Sequence, residues 1–152
     1  MNSNSFPINT PGIPTQAGEV VKEFLRLIMI PDPVSASRYT APDMRIIFTG
    51  KRTMRVPADC TKFNASRYKW VKKRIERTDV VMPSEQETAL GEIVVYSIGT
   101  LYGEWPDGQP FEGNRYVDRY VVTNGLITQM DVWNDSAEWI LVRAGLAVLV
   151  AP

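Results

Sequence analysis

The first part of the chain places apolar residues at helical spacing. The apolar positions of its first periodic segment fall on one stripe: Val20, Val21, Phe24, Leu25 and Ile28. They predict a helix over about residues 15–30, which Pro31 ends. Asp32 followed by Pro33 is typical of an N-cap and a first-turn proline, so we expect a second, short helix as far as Tyr39.

The middle of the chain mixes strand and helix patterns. Residues 44–49 form a short β-rich run and predict a strand. Residues 61–77 suit a third helix, whose predicted buried side consists of Phe63, Trp70, Val71 and Ile75. On this interpretation the basic residues of the segment form a solvated helix face: Lys69, Lys72, Lys73, Arg74 and Arg77. Residues 78–87 then predict a strand with an irregularity at Pro83.

From residue 92 onwards strand patterns dominate. Residues 92–105, 112–123 and 126–134 predict three long strands, and Asn124-Gly125 predicts a two-residue turn between the last two. Ser97 and Gly99 are small residues inside the first of these strands. They would leave room for a ligand or mark a bulge.

The end of the chain predicts one more helix and an apolar tail. Asp135 or Ser136 can cap a helix that runs to about Ala144 and stops at Gly145. The tail at 146–150 should dock on this domain or on a partner. Helices first and a long meander afterwards indicate an α+β fold, which we expect as one domain over residues 17–152.

The tight turn fixes which side chains of the hairpin share a face. Counting outward from Asn124-Gly125 through a regular ladder places Asp118 opposite Asp131. The predicted shared face is Tyr116, Asp118, Tyr120, Val122, Ile127, Gln129, Asp131 and Trp133. The other face is Arg115, Val117, Arg119, Val121, Thr128, Met130 and Val132. A bulged turn would break this register and separate the two carboxyl groups.

Two facing carboxylates among aromatic side chains are a candidate catalytic pair. They repel each other, and the aromatic surroundings would partly desolvate them, so both effects favour a proton on at least one. Asp118 and Asp131 could then supply one acid and one base for moving a proton on a carbonyl compound. Alternatively the same face is exposed or covered by a second subunit, with both carboxylates solvated or paired to arginines.

Composition narrows the possible chemistry. None of the 152 residues is histidine, which excludes His-based triads, His general bases and His-containing zinc sites. We predict a site that uses neither a metal nor a cofactor. Cys60 is the only cysteine, so no intrachain disulfide can form. Lys plus Arg and Asp plus Glu both number 17, and this balance gives no electrostatic support for nucleic acid or an anionic membrane as partner.

The first sixteen residues resemble a flexible arm more than a targeting signal. They are uncharged and rich in Ser, Asn, Pro and Thr, and they lack the basic start and apolar stretch of a signal peptide. We therefore expect an arm over 1–16, no membrane-spanning segment and, by default, a cytoplasmic location.

The hairpin region contains three short motifs: FEGNRYVDRY at 111–120, NGLI at 124–127 and DVWN at 131–134. Together they resemble the NTF2-like superfamily, nearest to its SnoaL-like (polyketide cyclase-like) and PhzA/B-like (phenazine-biosynthesis) branches. Element order alone extends the likeness over residues 17–146. The resemblance implies a cone-shaped fold, in which a strongly bent antiparallel sheet and three to four helices enclose a deep pocket. It also implies a homodimer formed through the outer sheet.

The resemblance implies roles for individual residues as well. Asp118 aligns with a hydrogen-bonding acidic residue of ketosteroid-isomerase-like members. Asp131 aligns, after a one-residue shift, with the acid or base of phenazine-type and cyclase-type members. Epoxide hydrolases of this fold use an Arg and an Asp where this sequence has Ile98 and Thr100, which argues against that reaction.

These patterns lead us to expect an enzyme for a small hydrophobic, oxygen-bearing molecule. It would be a cofactor-independent isomerase, cyclase or dehydratase acting by acid–base catalysis through Asp131 and Asp118. The predicted substrate-binding residues are Arg38, Tyr96, Asn114, Tyr116, Tyr120 and Trp133. Simpler explanations exist for several of them, such as a solvated helix-end arginine or strand tyrosines that only pack. Two alternatives need no chemistry: a small-ligand-binding module and a dimeric adaptor.

Overall fold

A computed structural model describes residues 14–148 of the chain, so most of the predicted arm lies outside the described residues. The helices and strands are α1 Pro14–Met29, α2 Pro33–Ala36, β1 Thr40–Phe48, β2 Arg52–Met54, α3 Pro57–Arg67, β3 Trp70–Val80, α4 Glu85–Leu90, β4 Glu92–Glu104, β5 Pro110–Thr123, β6 Leu126–Asn134 and α5 Ser136–Arg143. Short 3₁₀ turns at Ser37–Tyr39 and Thr49–Lys51 precede β1 and β2. The predicted α+β class is confirmed.

The strands form one sheet in the order β2-β1-β6-β5-β4-β3. β1 runs parallel to β6, and every other neighbouring pair is antiparallel. The long strands β4 and β5 pair from one end to the other and form the body of the sheet. β3 lies at one edge, so only one of its sides is bonded to another strand.

Helix α1 covers one face of this sheet, which we call the inner face. Its apolar stripe packs against inner-facing side chains of β1, β4, β5 and β6, and together they form the main core. Phe24 of α1 meets the ring of Tyr120 on β5 edge-on, with ring centroids 6.0 Å apart. Removal of this apolar surface from water stabilises the arrangement and fixes which side of each strand faces inward.

The predicted helix over residues 61–77 is wrong in its second half. Helix α3 begins earlier, at Pro57, and ends at Arg67, because Tyr68 is already extended with φ −124° and ψ 152°. The chain then pairs with β4 as β3, which is rich in β-branched residues such as Val71 and Ile75. The basic run therefore belongs to an edge strand, where charged side chains discourage pairing with other chains.

The predicted strand over residues 78–87 ends at Val80 and gives way to α4. Ser84 Oγ accepts a hydrogen bond from the backbone N–H of Glu87 at 3.2 Å, and Glu87 Oε2 accepts one from the N–H of Ser84 at 2.7 Å. Gly91 ends the helix in the left-handed conformation, with φ 68°. This reciprocal cap stabilises a short helix that turns the chain into β4.

Gly99 marks a bulge rather than space for a ligand. Opposite it, β3 carries Glu76 as an extra residue between Ile75 and Arg77. A Cβ atom at Gly99 would lie 2.0 Å from the carbonyl oxygen of Arg74, so only glycine permits the neighbouring backbone to approach this closely.

A second bulge shifts the hairpin of β5 and β6. The two-residue turn at Asn124-Gly125 is confirmed, but the ladder skips one residue of β6 between Ile127 and Gln129. The extra residue, Thr128, donates a hydrogen bond from Oγ1 to the carbonyl oxygen of Val121 at 3.2 Å. Because a one-residue slip turns every later side chain over, the predicted faces of β6 are wrong beyond Thr128.

The last helix, α5, agrees with the prediction, and Gly145 follows it with φ 72°. Leu146 and Val148 are exposed, so the described part of the tail does not dock on this domain. Residues 149–152 lie outside the described residues. Across residues 14–148, the helices are too short or too polar to span a bilayer.

Candidate functional site

Two adjoining chambers lie between the inner face of the sheet, the end of α1 and helix α3. The inner chamber has a volume of ≈ 60 Å³ and the outer chamber one of ≈ 280 Å³. Residues that line both are Ile28, Met29, Asn64, Tyr68, Val71 and Lys72. Apolar side chains complete most of the inner wall: Leu25, Phe48, Leu101, Met130 and Val132.

One ion pair interrupts this apolar wall. Lys73 on β3 and Asp118 on β5 both line the inner chamber, and Lys73 Nζ donates a hydrogen bond to Asp118 Oδ2. The Asp118 side chain is 0% exposed and that of Lys73 is 15% exposed. Charges this deeply buried are costly unless they are paired. Asp118 Oδ1 is buried as well and has no hydrogen-bond partner among residues 14–148.

Two tyrosines of β5 flank the pair. Tyr120 donates its hydroxyl hydrogen to Asp118 Oδ2 at 3.0 Å. The ring of Tyr116 lies 4.1 Å from Lys73 Nζ, in a cation–π arrangement, and its hydroxyl lies 3.0 Å from Ser97 Oγ. Burial raises the pKa of Tyr116 to about 12 and that of Tyr120 well above its ordinary value. Both phenols therefore keep their proton at neutral pH.

A second polar cluster forms another part of the wall. Ser136 Oγ accepts hydrogen bonds from the Tyr68 hydroxyl at 2.5 Å and from Asn114 Nδ2 at 3.2 Å. The backbone N–H of Ser136 donates to Asn134 Oδ1 at 3.1 Å. Tyr68 and Asn134 line the inner chamber. Burial raises the pKa of Tyr68, so its hydroxyl also stays protonated.

Cys60 lines the inner chamber as a neutral thiol. Burial raises its pKa to about 12, and its Sγ lies 3.7 Å from Met54 Sδ. It therefore contributes to the apolar wall and is not a thiolate nucleophile. Among residues 14–148, the Cys, Asp and Glu side chains form no group that could hold a metal ion.

The inner face of β5 carries much of the predicted site. Asn114, Tyr116, Asp118 and Tyr120 alternate along the strand and all point inward, where each is at most 2% exposed. Tyr116 and Asp118 line the inner chamber directly, whereas Tyr120 reaches it through its hydrogen bond to Asp118. Asn114 belongs to the cluster around Ser136.

Other predicted residues lie on the opposite, outer face, and the predicted facing of Asp118 and Asp131 is wrong. Because of the bulge at Thr128, Asp131 pairs with Arg119, whose Nη1 lies 3.2 Å from Asp131 Oδ2. Trp133 shares this outer face and is 56% exposed. Tyr96 also faces outward, since its partner on β5 is Arg119.

Arg38 lies away from the chambers. It belongs to the 3₁₀ turn after α2, is exposed, and lines neither chamber. The predicted placement of Arg38 among the substrate-binding residues is therefore wrong for these chambers, and its exposure is that of a solvated arginine at a helix end.

The sequence interpretation missed Lys73, the partner of Asp118. The sequence placed Lys73 in a predicted helix, on its solvated basic face. In the structure Lys73 lies in β3, where the inward positions are Val71, Lys73 and Ile75. The period of two between these apolar residues was the available signal. Val71 is partly buried and Lys73 is 15% exposed, whereas Ile75, next to the bulge, is 39% exposed.

Comparisons with known proteins give matches to solved structures only. No known family model matches the sequence, and no curated protein does. An NTF2-like protein of unknown function from Burkholderia pseudomallei K96243 is similar with a TM-score of 0.65 at 15% identity, over 82% of this chain and 95% of that one. A candidate SnoaL-like polyketide cyclase from Jannaschia sp. CCS1 gives 0.61 at 17% identity, over 92% and 96%. TerC, co-crystallised with polyporic acid, gives 0.62 at 12% identity, over 82% and 95%.

These likenesses define the class of fold. The chain has the NTF2-like fold, as its hairpin motifs and element order predicted, and SnoaL-like proteins are among its structural neighbours. At such low identities the likeness concerns the backbone and carries no residue role from one protein to another.

Proposed function

We propose that this protein is a small-molecule enzyme that moves a proton on a hydrophobic, oxygen-bearing substrate without a cofactor. The observation that carries the proposal is the buried Lys73–Asp118 pair in a chamber whose wall is mostly apolar. Structural ion pairs are common, but one that borders a cavity places a carboxylate and an amine where a bound molecule could meet them.

Asp118 is the proposed catalytic base. Its Oδ2 is held by Lys73 and Tyr120, which orient the carboxylate, while Oδ1 has no partner among the described residues. A base of this kind can remove a proton from carbon next to a carbonyl group. Tyr116 keeps its phenolic proton at neutral pH and would donate it in a hydrogen bond to the substrate oxygen, where negative charge develops.

The dimensions of the chambers suggest how a substrate is arranged. The inner chamber, at ≈ 60 Å³, admits only the reacting end of a molecule. The outer chamber, at ≈ 280 Å³, approaches the size of pockets that bury most of a small ligand. We propose that an apolar body occupies the outer chamber and places a carbonyl or hydroxyl group against Asp118.

Two structural neighbours support this substrate class. TerC was co-crystallised with polyporic acid, and another neighbour is a candidate polyketide cyclase. These names describe oxygen-bearing organic molecules as the ligands or substrates of those proteins. For this chain they support a pocket that accepts an oxygen-bearing organic molecule.

The test separates the two carboxylates. Native mass spectrometry of the purified protein should reveal a retained small molecule, whose proton exchange in D₂O can then be followed by NMR. We expect Asp118→Asn to lose exchange by about 10²-fold or more, and Asp131→Asn on the outer face to retain it. Equal exchange in Asp118→Asn and the unchanged protein would contradict the proposal.

A binding module without chemistry is the second candidate. It is favoured by Asp118 Oδ2, which already has two donors and so forms a satisfied structural pair. If it is correct, the retained molecule leaves the unchanged protein without any exchanged hydrogen, and Asp118→Asn alters only its affinity.

We also propose that two copies associate through the outer face of the sheet. Trp133 is 56% exposed there, and its cross-strand partner Val117 is exposed as well. Apolar surface of this kind often marks an interface. Light scattering should give a dimer for the unchanged protein and a monomer for Trp133→Glu, whereas a monomer in both cases would contradict it.

A further inference from the structure

We propose that Lys73 is a nucleophile that forms an imine with an aldehyde or ketone in the inner chamber. The inference rests on the proposed function, because it uses the same chamber and the same Asp118. It adds a covalent step and narrows the substrate to carbonyl compounds.

Lys73 differs from every other lysine of the chain in its surroundings. Its side chain is 15% exposed and borders the inner chamber. The other lysines are all exposed: Lys22, Lys51, Lys62, Lys69 and Lys72. Lys72 also lines both chambers, so burial and the pairing with Asp118 are what distinguish Lys73. An amine in an apolar pocket is weakly hydrated, and such lysines are the ones that proteins use for imine chemistry.

The neighbours of Lys73 supply the other requirements of the reaction. An ammonium group must lose a proton before it can attack, and Asp118 Oδ2 accepts a hydrogen bond from Nζ and is placed to take that proton. The ring of Tyr116, 4.1 Å from Nζ, holds the end of the side chain on the inner face. The amine therefore has both a proton acceptor and a fixed position.

The covalent step balances with these groups alone. Asp118 takes one proton from the ammonium group, and the Nζ lone pair forms a bond to the carbonyl carbon while the C=O π pair moves to oxygen. The oxygen takes up a proton from nitrogen, giving a carbinolamine. Asp118 then returns its proton to the hydroxyl group, water leaves, and the nitrogen lone pair completes a C=N bond. A carbonyl compound and an ammonium group thus become a protonated imine and water.

The protonated imine keeps the charge balance of the site. It carries one positive charge, as the ammonium group did, so the pairing with Asp118 is preserved and no unpaired charge is buried. Its C=N bond attracts electrons more strongly than the original carbonyl group. Removal of a proton from the adjacent carbon by the Asp118 carboxylate, giving an enamine, then becomes easier.

Reductive trapping tests the inference without knowledge of the natural substrate. The folded protein is treated with limiting propanal and sodium cyanoborohydride, which reduces an imine to a stable secondary amine. Peptide mass mapping then locates the added propyl group. We expect it on Lys73 first, ahead of the exposed lysines and the N-terminal amine. In urea-unfolded protein this preference should disappear.

Two matched variants complete the test. Lys73→Arg keeps a positive charge beside Asp118 but cannot form an imine, so the early label should be lost while circular dichroism shows an intact fold. Lys62→Arg removes an exposed lysine of α3 and should leave the label on Lys73 unchanged. Label spread over the exposed lysines with none on Lys73 would overturn the inference. If Asp118→Asn still abolished proton exchange in that case, the proposed acid–base function would stand without the imine.

Discussion

Asp118 and Asp131 lie on adjacent strands, yet they occupy different environments. Asp118 faces the inner chamber, fully buried beside Lys73, whereas Asp131 faces outward beside Arg119. Asp131 also accepts hydrogen bonds from Gln129 Nε2 at 3.0 and 3.2 Å. The two residues differ because β6 contains one extra residue at Thr128. A single bulge thus decides whether the chamber contains one carboxylate or two.

The difference has a physical consequence for the chemistry. Two facing carboxylates would share a proton through mutual repulsion, whereas the single carboxylate of the chamber is neutralised by a lysine. The ionisable partner of Asp118 is therefore a nitrogen and not a second oxygen. The proposed imine chemistry uses this amine as its nucleophile.

Deletion of Thr128 should have the largest effect, because it removes the bulge that places Asp118 and Asp131 on different faces. It would remove the bulge and turn the rest of β6 over, placing Asp131 in the core and Met130 and Val132 outside. Loss of these two buried side chains alone costs about 3–6 kcal/mol, so we expect a protein that does not fold. Circular dichroism and urea denaturation measure this.

Thr128→Ala is the matched control for the deletion. It keeps the extra residue and loses the hydrogen bonds of Oγ1 to Val121 and Thr123, which we expect to lower the free energy of unfolding by about 1 kcal/mol. If the deletion proved no more harmful than this substitution, the bulge would not be what fixes the register.

Lys73→Met should give the next largest effect. It leaves Asp118 buried without its counter-ion, which typically costs about 3–5 kcal/mol of the free energy of unfolding at neutral pH. The double variant Lys73→Met with Asp118→Leu should recover most of that loss, because apolar side chains suit this wall. Urea denaturation of the three proteins provides the comparison. A single variant as stable as the unchanged protein would show that the pair is not buried.

Alkaline pH should distinguish the tyrosines of the two faces. The pKa of Tyr116 is raised to about 12 in the folded state from about 10 in the unfolded state. Its stabilising contribution is therefore complete below pH 10 and is lost between pH 10 and 12, as the unfolded chain releases the proton first. We expect Tyr116→Phe to remove about 1–2 kcal/mol of this decline, less than the full shift because the open chamber admits some water.

The control for that measurement is Tyr96→Phe on the outer face. Urea denaturation at several values between pH 9 and 12 gives the slope of stability against pH for each protein. A slope that flattens equally in both variants would show that burial on the inner face is not its cause.

How much the sequence could predict depends on the range of the interactions involved. The helix of α1, the Asn124-Gly125 turn and the long strands β4 to β6 follow from local periods and turn chemistry, and they were confirmed. The signals for α4, namely the Ser84 and Glu87 cap and the terminal Gly91, are equally local. The helix is so short that the sequence pattern was interpreted as part of the strand predicted over residues 78–87. The local sequence patterns and the hairpin motifs together were therefore sufficient to predict the fold.

The site was less predictable because two non-local features decide it. The bulge at Thr128 coincides with a register shift between β1 and β6, and a count along the hairpin does not include β1. The inward position of Lys73 depends on residues 70–80 pairing with β4 instead of continuing α3. The bulge places Asp131 on the outer face, and the pairing of β3 with β4 places Lys73 on the inner face. Tyr116, Asp118 and Tyr120 were placed on one face, as the structure has them, because β5 alternates regularly along these residues.

Arg119→Met should have the smallest effect. It tests the outer-face pair of Asp131 in the way that Lys73→Met tests the inner-face pair of Asp118. It removes the partner of Asp131, whose side chain is 10% exposed, but the Arg119 side chain is 29% exposed, and Gln129 still donates to the same carboxylate. This pair is more exposed than that of Lys73 and Asp118, so we expect a loss of about 1 kcal/mol, part of which added salt should screen. Urea denaturation at low and high salt should show a small loss that shrinks with salt, whereas the loss in Lys73→Met should persist. A salt-insensitive loss as large as that of Lys73→Met would place Asp131 in an interior site as demanding as that of Asp118, and the contrast between the two faces would then disappear.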